Sequence, residues 1–371
     1  MALFSFVILC RIEINARVYV RDWLAPPKAQ IIEPLSSSCF RNTSSSYPSR
    51  PSKYHHNFVP GLPTWEEYTC YDFASMLYPS RNQSINKTTF HTYWSKNLTS
   101  STAFGEKEFA VVRSFVATQD AAETDLIIWI SPEDEPDLKA SPAWQHLSQV
   151  MERLRYEKLD MDSLTSDTPL KSYSASLSQL RPEETVNLIR LLVLYNRGGV
   201  WFDFNTMFTR DLSPLLEHEW IAQGSCFTTM FGNPFDGGLL HFRPQSPYVC
   251  ELMAGASDVF EARRRKQRGL SYNDRLLDKR TKDPLGAGLY YRIYRRLLHH
   301  RITPWSVLPW CFTDPSQCKQ VNSLPSLAAK TSFRHQRITQ TFAYHWHEGW
   351  SFKPGDLFKY LESLHKEAVG W

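Results

Sequence analysis

The sequence predicts an α/β fold, and three stretches carry that prediction. "RPEETVNLIRLLVLYNRGG", residues 181–199, has apolar residues at helical spacing and ends in two glycines. "VWFDF" follows at once as a strand, so helix, glycine turn and strand form one unit. "ETDLIIWIS", residues 123–131, is a continuous apolar run between polar flanks, as a buried strand requires. Units of this kind build sheets whose strand ends present a ligand site.

From the start of the chain, the elements read in order. "MALFSFVILCRIEINARVYVRDW" is apolar from residue 2 to residue 10 and is then interrupted by Arg11. That run is too short to span a membrane and lacks a basic leader, so it reads as a signal-anchor remnant or a misassigned start. A membrane tether in a longer form of the chain is the matching expectation. Residues 24–64 are rich in Pro, Ser and Asn and read as a stem or linker, which divides the chain into 1–64 and 65–371. "TTFHTYWS" (88–95) reads as a strand and "EKEFAVVRSFVATQ" (106–119) as a helix. After the 123–131 strand comes the acidic turn "PEDE", and "PAWQHLSQVMERLRYEKL" reads as one further helix. In the 181–199 helix, Pro182 sits in the first turn, and Glu183 and Glu184 suit the helix dipole. "FDGGLLHFRPQSPYVCELMAGA", a basic helix, "GAGLYYRIYRRLL" and a loop-rich region from 301 to 371 complete the chain, with no internal repeat.

Composition narrows the function classes. The 371 residues suffice for one large α/β domain. Net charge is only +4, with one dense cluster at Arg263, Arg264, Arg265, Lys266 and Arg268 and no recognisable nucleic-acid module, so nucleic acid is not an expected partner. The cluster reads as a solvated helix face, or as a contact for anionic lipid or an acidic donor. Aromatics make up 14% of residues, with 12 Trp, which suits both core packing and ring-lined carbohydrate surfaces. Seven cysteines include no CxxC pair, which argues against structural zinc. Cys311 with Cys318 and Cys39 with Cys70 are two disulfides the spacing allows without selecting either. Four Asn-x-Ser/Thr sequons, at Asn42, Asn82, Asn86 and Asn97, point to the secretory pathway.

The chemistry centres on "GGVWFDFN". Asp203 and Asn205 are two apart and share a face if the strand continues through them. A divalent cation held by such residues neutralises a diphosphate, with Asn205 offering a neutral oxygen where a second carboxylate would bind more strongly. Alternatively, Asp203 only anchors the end of the strand.

The wider pattern resembles a known family. Val186-Asn187-Leu188-Ile189-Arg190, Leu194-Tyr195, Gly198-Gly199-Val200-Trp201 and Asp203-Phe204-Asn205 follow its order of Ser-Asp-x-x-Arg, Leu-Tyr, Gly-Gly-x-Tyr and Asp-x-Asp. "FHTYWS", "SFVATQ" before "LIIWI", "FDGGLLHFRPQSP" and "FAYHWHEGW" extend the likeness over roughly residues 88–350. The stretch is similar to glycosyltransferases with a DXD sugar-binding region, the family of the fungal initiating α-1,6-mannosyltransferase and the animal α-1,4-galactosyltransferases. The resemblance implies a GT-A, Rossmann-like single domain behind an N-terminal stem. It also implies retaining transfer of a hexose from a UDP- or GDP-hexose to a glycan or other hydroxyl, in the Golgi or secretory lumen.

The resemblance also suggests site residues. Asp203 and Asp236 are the catalytic candidates; Asn187, Arg190, Tyr195, Gly198, Gly199, Trp201 and Asn205 are the donor-binding ones. Gly198 and Gly199 would let backbone approach the donor, and Gly237 and Gly238 would leave room for a sugar. Asp203, Asn205, His345 and His347 are the candidate ligands of Mn²⁺ or Mg²⁺. Two positions depart from the family, Asn187 and Asn205, and each removes a negative charge from the expected pocket. Asp203 with a histidine can still hold a cation, or Arg190 or Arg210 can replace metal, or activity is weak or lost and the protein binds carbohydrate or acts as a scaffold. Asp211 is expected only to cap the turn before "LSPLL".

Overall fold

The computed structural model describes residues 34–36, 38–40, 67–77, 87–98, 103–177, 179–224, 235–268, 283–316, 323–347 and 353–371. The chain divides into two compact units, Met1–Pro34 and Leu35–Trp371, and every element below belongs to the second. The apolar start, most of the stem and the sequons at Asn42, Asn82 and Asn86 lie outside the described residues.

In chain order the main elements are α1 (Glu67–Met76), β1 (Thr88–Trp94), α2 (Glu106–Thr118), β2 (Thr124–Ile130), α3 (Pro142–Val150) and β3 (Leu154–Lys158). They continue with α4 (Pro182–Arg197), β4 (Gly199–Phe202), β5 (Thr206–Phe208), β6 (Trp220–Gln223), β7 (Phe235–Phe242) and α5 (Pro247–Gln267). Next come α6 (Ala287–His299), β8 (Ser306–Leu308), β9 (Ala343–His345) and α7 (Asp356–Val369). One seven-stranded sheet runs β3-β2-β1-β4-β7-β6-β8. Strands β3, β2, β1 and β4 are parallel, while β7 runs against both β4 and β6. Strands β5 and β9 form a separate antiparallel ribbon. The fold is thus mixed α/β with a mostly parallel central half.

Strand alternation divides the core into two layers. Leu126, Ile128 and Ile130 of β2, with Phe90, Val200 and Phe202, pack against α2 and α7 residues. Ile127, Trp129 and Trp201 point the other way, onto Leu188, Leu192, Val249 and Leu289 of α4, α5 and α6. Both faces are covered, which is why "DLIIWI" shows no polar alternation.

Three sequence expectations are corrected. Helix α3 ends at Val150, and "LRYEK" is β3, not more helix. Arg153 is drawn to the carbonyls of Val116, Gln119 and Asp120 at the end of α2, and its own carbonyl accepts from the Leu126 amide, which starts the ladder. The loop-rich region closes with a 14-residue helix, α7, which buries Leu357, Phe358 and Leu361 and reaches α2 through Arg113 and Glu362, 3.3 Å apart. The cysteines pair as Cys39–Cys250 and Cys70–Cys311, so neither short-range pairing forms. Each bridge ties residues more than 200 positions apart, which spacing alone does not reveal. Among the described residues no helix is long and apolar enough to cross a membrane.

His91 locks the turn that opens β4. It is fully buried, its Nε2 donates to the Gly198 carbonyl at 2.9 Å, and its Nδ1 accepts from Trp129 Nε1 at 3.2 Å. This assigns the neutral Nε2–H tautomer, and burial lowers the imidazole from 6.5 to about 3. Burial likewise lowers His241 and His365 to about 4. The folded state therefore refuses protons that the unfolded chain accepts below pH 6.5. The contribution of these three histidines is complete above that value and falls as pH drops toward the folded values, with His91 contributing about 2 kcal/mol of loss by pH 5. Urea midpoints measured from pH 7 to pH 5 will fall, and His91→Gln, whose amide can still reach Gly198, will flatten that slope.

Candidate active site

Strand β1 pairs with β2 on one side and β4 on the other, so the chain connections diverge at this point. A crevice beyond the carboxyl ends of such strands is where open α/β sheets bind ligands. A cavity of about 520 Å³ lies there. Tyr93, Trp94, Ser95 and Leu98 reach it from the end of β1, and Asp203, Phe204 and Asn205 from the end of β4. The first turns of α4 add Arg181, Glu183, Glu184, Val186, Asn187 and Arg190, and Asp283 comes from the approach to α6.

The floor is an ion pair. Arg190 Nη2 donates to both oxygens of Asp203, at 3.1 and 3.3 Å. Trp201 Nε1 donates to Asp203 Oδ1 at 2.8 Å, and its ring lies 5.9 Å from the Arg190 guanidinium carbon. Strand alternation puts Trp201 and Asp203 on one side, so the indole serves the carboxylate, not the cavity wall. Burial alone would weaken the charge on Arg190, but Asp203, Tyr290 and Asp236 outweigh it and hold the guanidinium charged. The same burial pushes Tyr290 up to about 12.

Several expected roles change. Strand β4 ends at Phe202, so Asp203 lies just past it and Asn205 in the turn before β5, not together on one strand face. The Asn205 amide nitrogen donates to the Trp346 carbonyl at 3.0 Å, and its oxygen is buried without a hydrogen-bond partner. Gly198 and Gly199 do not offer backbone to the cavity. Both have positive φ, 67° and 100°, and a side chain there would strike Pro244 or the Thr89 carbonyl, so they are needed to close α4 onto β4. Tyr195 packs on the α4–α6 layer, and its carbonyl accepts from the Gln245 amide, away from the cavity lining. Arg210 donates to the carbonyls of Ala74 and Leu77 at the end of α1 and is no donor cation. Asp211 caps its turn as expected, accepting from the Ser213 amide at 3.0 Å. The basic helix end is exposed at Arg264, Arg265, Lys266 and Arg268, while Arg263 reaches Glu184 at 2.5 Å.

Asp236 and the histidines form a second cluster. Asp236 accepts from the Gly238 amide at 2.9 Å and pairs with His345 Nδ1 at 2.6 Å. His347 Nε2 pairs with Asp314 at 2.6 Å. Ligand-capable atoms of Asp236, Asp314, His345 and His347 all lie within 4.8 Å of one another. Burial opposes charge on His345, yet the Asp236 carboxylate, with Asp314 and Asp203 behind it, lifts the imidazole to about 9. His345 in turn holds Asp236 well below the usual carboxylate range despite burial. Burial raises Asp314 to about 6 even beside His347. Gly237 and Gly238 make room for side chains, not for a sugar: an added methyl at 237 would strike Arg190, and one at 238 would meet the His345 ring at 2.7 Å.

Four site carboxylates escaped the sequence reading as site residues: Glu183 and Glu184, which were read only as dipole partners of α4, and Asp283 and Asp314. Asp283 Oδ1 accepts from the Asn187 amide at 3.1 Å, and its Oδ2 accepts from the Ala287 amide at the start of α6. Its signal was an Asp before "PLGAG", a helix-start pattern. Asp314 follows the apolar run "VLPWCFT", where a lone acid beside buried residues was the available sign.

Comparison with known proteins fits this geometry. Residues 83–224 match the family model described as the glycosyltransferase sugar-binding region containing DXD motif. No curated protein matches the chain. Among solved structures, PaToxG glycosyltransferase is similar at 13% identity over 62% of this chain and 75% of its own, with a TM-score of 0.40. The galactosyltransferase LgtC, in complex with donor and acceptor sugar analogs, is similar at 11% identity over 75% of this chain and 95% of its own, with a TM-score of 0.36. Mouse xyloside xylosyltransferase 1, in its apo form, is similar at 12% identity over 70% of this chain and 97% of its own, with a TM-score of 0.39. The matched region runs from before β1 through β6 and carries the lining residues of the Asp203 crevice except Asp283, and by that region the chain is an enzyme of the glycosyltransferase kind.

Proposed function

We propose that the chain transfers a hexose from a UDP- or GDP-hexose to a hydroxyl of a glycan or similar acceptor, with retention at the sugar carbon. The observation that carries this reading is the cavity at the β1–β4 strand ends, floored by the Arg190–Asp203 pair. Its volume of about 520 Å³ suits a small polar ligand. Retention rests on the family resemblance.

The roles follow from charge and position. A departing diphosphate needs fixed positive charge more than it needs an acid. Arg190 and Arg181 are the cations that line the cavity. Arg190 is held in place on three sides by Asp203, Trp201 and Gly237, so it need not reorganise as charge develops. Asp203, Glu183 and Asp283 offer oxygens to sugar hydroxyls. A Mn²⁺ or Mg²⁺ ion, where used, would screen the same diphosphate. The Asp203-Phe204-Asn205 motif offers such an ion little: Arg190 and Trp201 already engage the carboxylate, and the Asn205 amide nitrogen is turned to Trp346, which leaves only the neutral Asn205 oxygen unpartnered. A lumenal secretory setting is supported by two disulfides and by Asn97, exposed in the turn after β1.

A binding and turnover screen of nucleotide-sugars, with Mn²⁺, Mg²⁺ or EDTA, tests the proposal. One donor class will bind and be consumed, and NMR of the product will show the donor's anomeric configuration. Absence of both nucleotide binding and turnover across all donors rejects it. Arg190→Gln will lower kcat/KM by about 100-fold, the scale of losing one preorganised charge donor. Gly237→Ala, which pushes Arg190 from its seat, will cost about 1–3 kcal/mol in urea unfolding and reduce donor affinity as well.

A further inference from the structure

We infer that the divalent cation of this enzyme is held by Asp236, Asp314, His345 and His347, and not by the Asp203-Phe204-Asn205 motif. The inference takes its catalytic role from the donor-site reading, but the site's existence does not depend on it.

Four observations meet at this cluster. Two carboxylates and two imidazoles, from three separate stretches of the chain, bring ligand-capable atoms within 4.8 Å of one another. This mixed oxygen and nitrogen set suits Mn²⁺ and accepts Zn²⁺. Its two carboxylates balance a double positive charge. The cluster also contains buried atoms without partners: Asp314 Oδ1, in a residue 1% exposed, and His345 Nε2, in a residue 6% exposed. Buried polar atoms are normally satisfied, so both point to a missing ligand. Glycine at 238 lets the His345 ring pack against β7, which brings the imidazole up to Asp236. Finally, in the motif expected to bind metal the one carboxylate, Asp203, is committed to Arg190 and Trp201, and only the neutral Asn205 oxygen is left unpartnered.

The cluster is also well placed. Asp203 is tied to β7 by a hydrogen bond from its backbone amide to the Gly238 carbonyl, 2.9 Å long, two residues from Asp236. Strand β9 pairs His345 with Thr206, just beyond Asn205. A cation here stands beside the donor floor, and His347, with its side chain 41% exposed, leaves a route from solvent. The two carboxylates absent at Asn187 and Asn205 are thereby offset by Asp236 on β7 and by Asp314 in the loop region after β8.

Mn²⁺ binding to the full chain tests this, by calorimetry and by loss of the free Mn²⁺ electron paramagnetic resonance signal. Each measurement is made with Mn²⁺ alone and again with UDP or GDP added. One Mn²⁺ will bind in at least one condition. Asp314→Asn and His347→Gln will each weaken it by about 100-fold, while Asp203→Asn will change it less than about threefold. Thermal melts of each variant confirm folding, and His347→Gln, at a partly exposed position, serves if Asp314→Asn does not fold. No Mn²⁺ bound in either condition overturns the inference. So does a loss in Asp203→Asn that equals or exceeds the loss in the four-residue variants. A chain that binds Mn²⁺ through this cluster yet consumes no donor keeps the cation site and removes the transferase reading.

Discussion

The Arg190–Asp203 pair is the constraint around which the rest of the site is arranged. A buried guanidinium without a counter-charge is costly, so Asp203 must stay within reach of α4. That requirement fixes where β4 ends, because the Asp203 amide also bonds the Gly238 carbonyl of β7. It excludes a side chain at residue 237, since the guanidinium fills that space. It also sets the orientation of Trp201, whose indole nitrogen completes the carboxylate's shell. Helix, strand end and the neighbouring antiparallel strand are thus registered by one charged contact.

This arrangement explains why the motif's second position tolerates an amide. With Asp203 neutralised by Arg190, a carboxylate at 205 would have to be balanced by an added cation. Asn205 instead ties the β4–β5 turn to β9 by donating to Trp346. The same holds at Asn187, whose amide donates to Asp283, so the negative charge at that edge of the cavity comes from the α6 side. The cavity keeps both signs of charge, redistributed among different elements.

Much of the fold was legible because it depends on periodicity. The apolar run of β2, the helix-and-glycine unit of α4 and the strand beginning at Thr88 are local patterns with strong physical causes. The expectation that Arg190 and Asp203 belong to one site came from the family resemblance, and their direct pairing is seen only in the structure. Long-range geometry was not legible. Nothing local marks Cys39 as the partner of Cys250, or Arg210 as the cap of α1. The glycine pairs were read as space for a donor, but Gly198 and Gly199 serve backbone crossings, and Gly237 and Gly238 accommodate Arg190 and His345. A glycine in sequence reveals that something approaches closely, and only the tertiary structure reveals what.

The most direct measurement of this account is a double-mutant cycle between Arg190→Met and Asp203→Asn, read by urea unfolding without ligand. If the pair organises the site, Asp203→Asn leaves the buried Arg190 uncompensated and costs about 3–5 kcal/mol, Arg190→Met leaves the partly exposed Asp203 and costs less, and the double mutant recovers at least about 2 kcal/mol of the sum. Additive losses, with a coupling below about 0.5 kcal/mol, would contradict it.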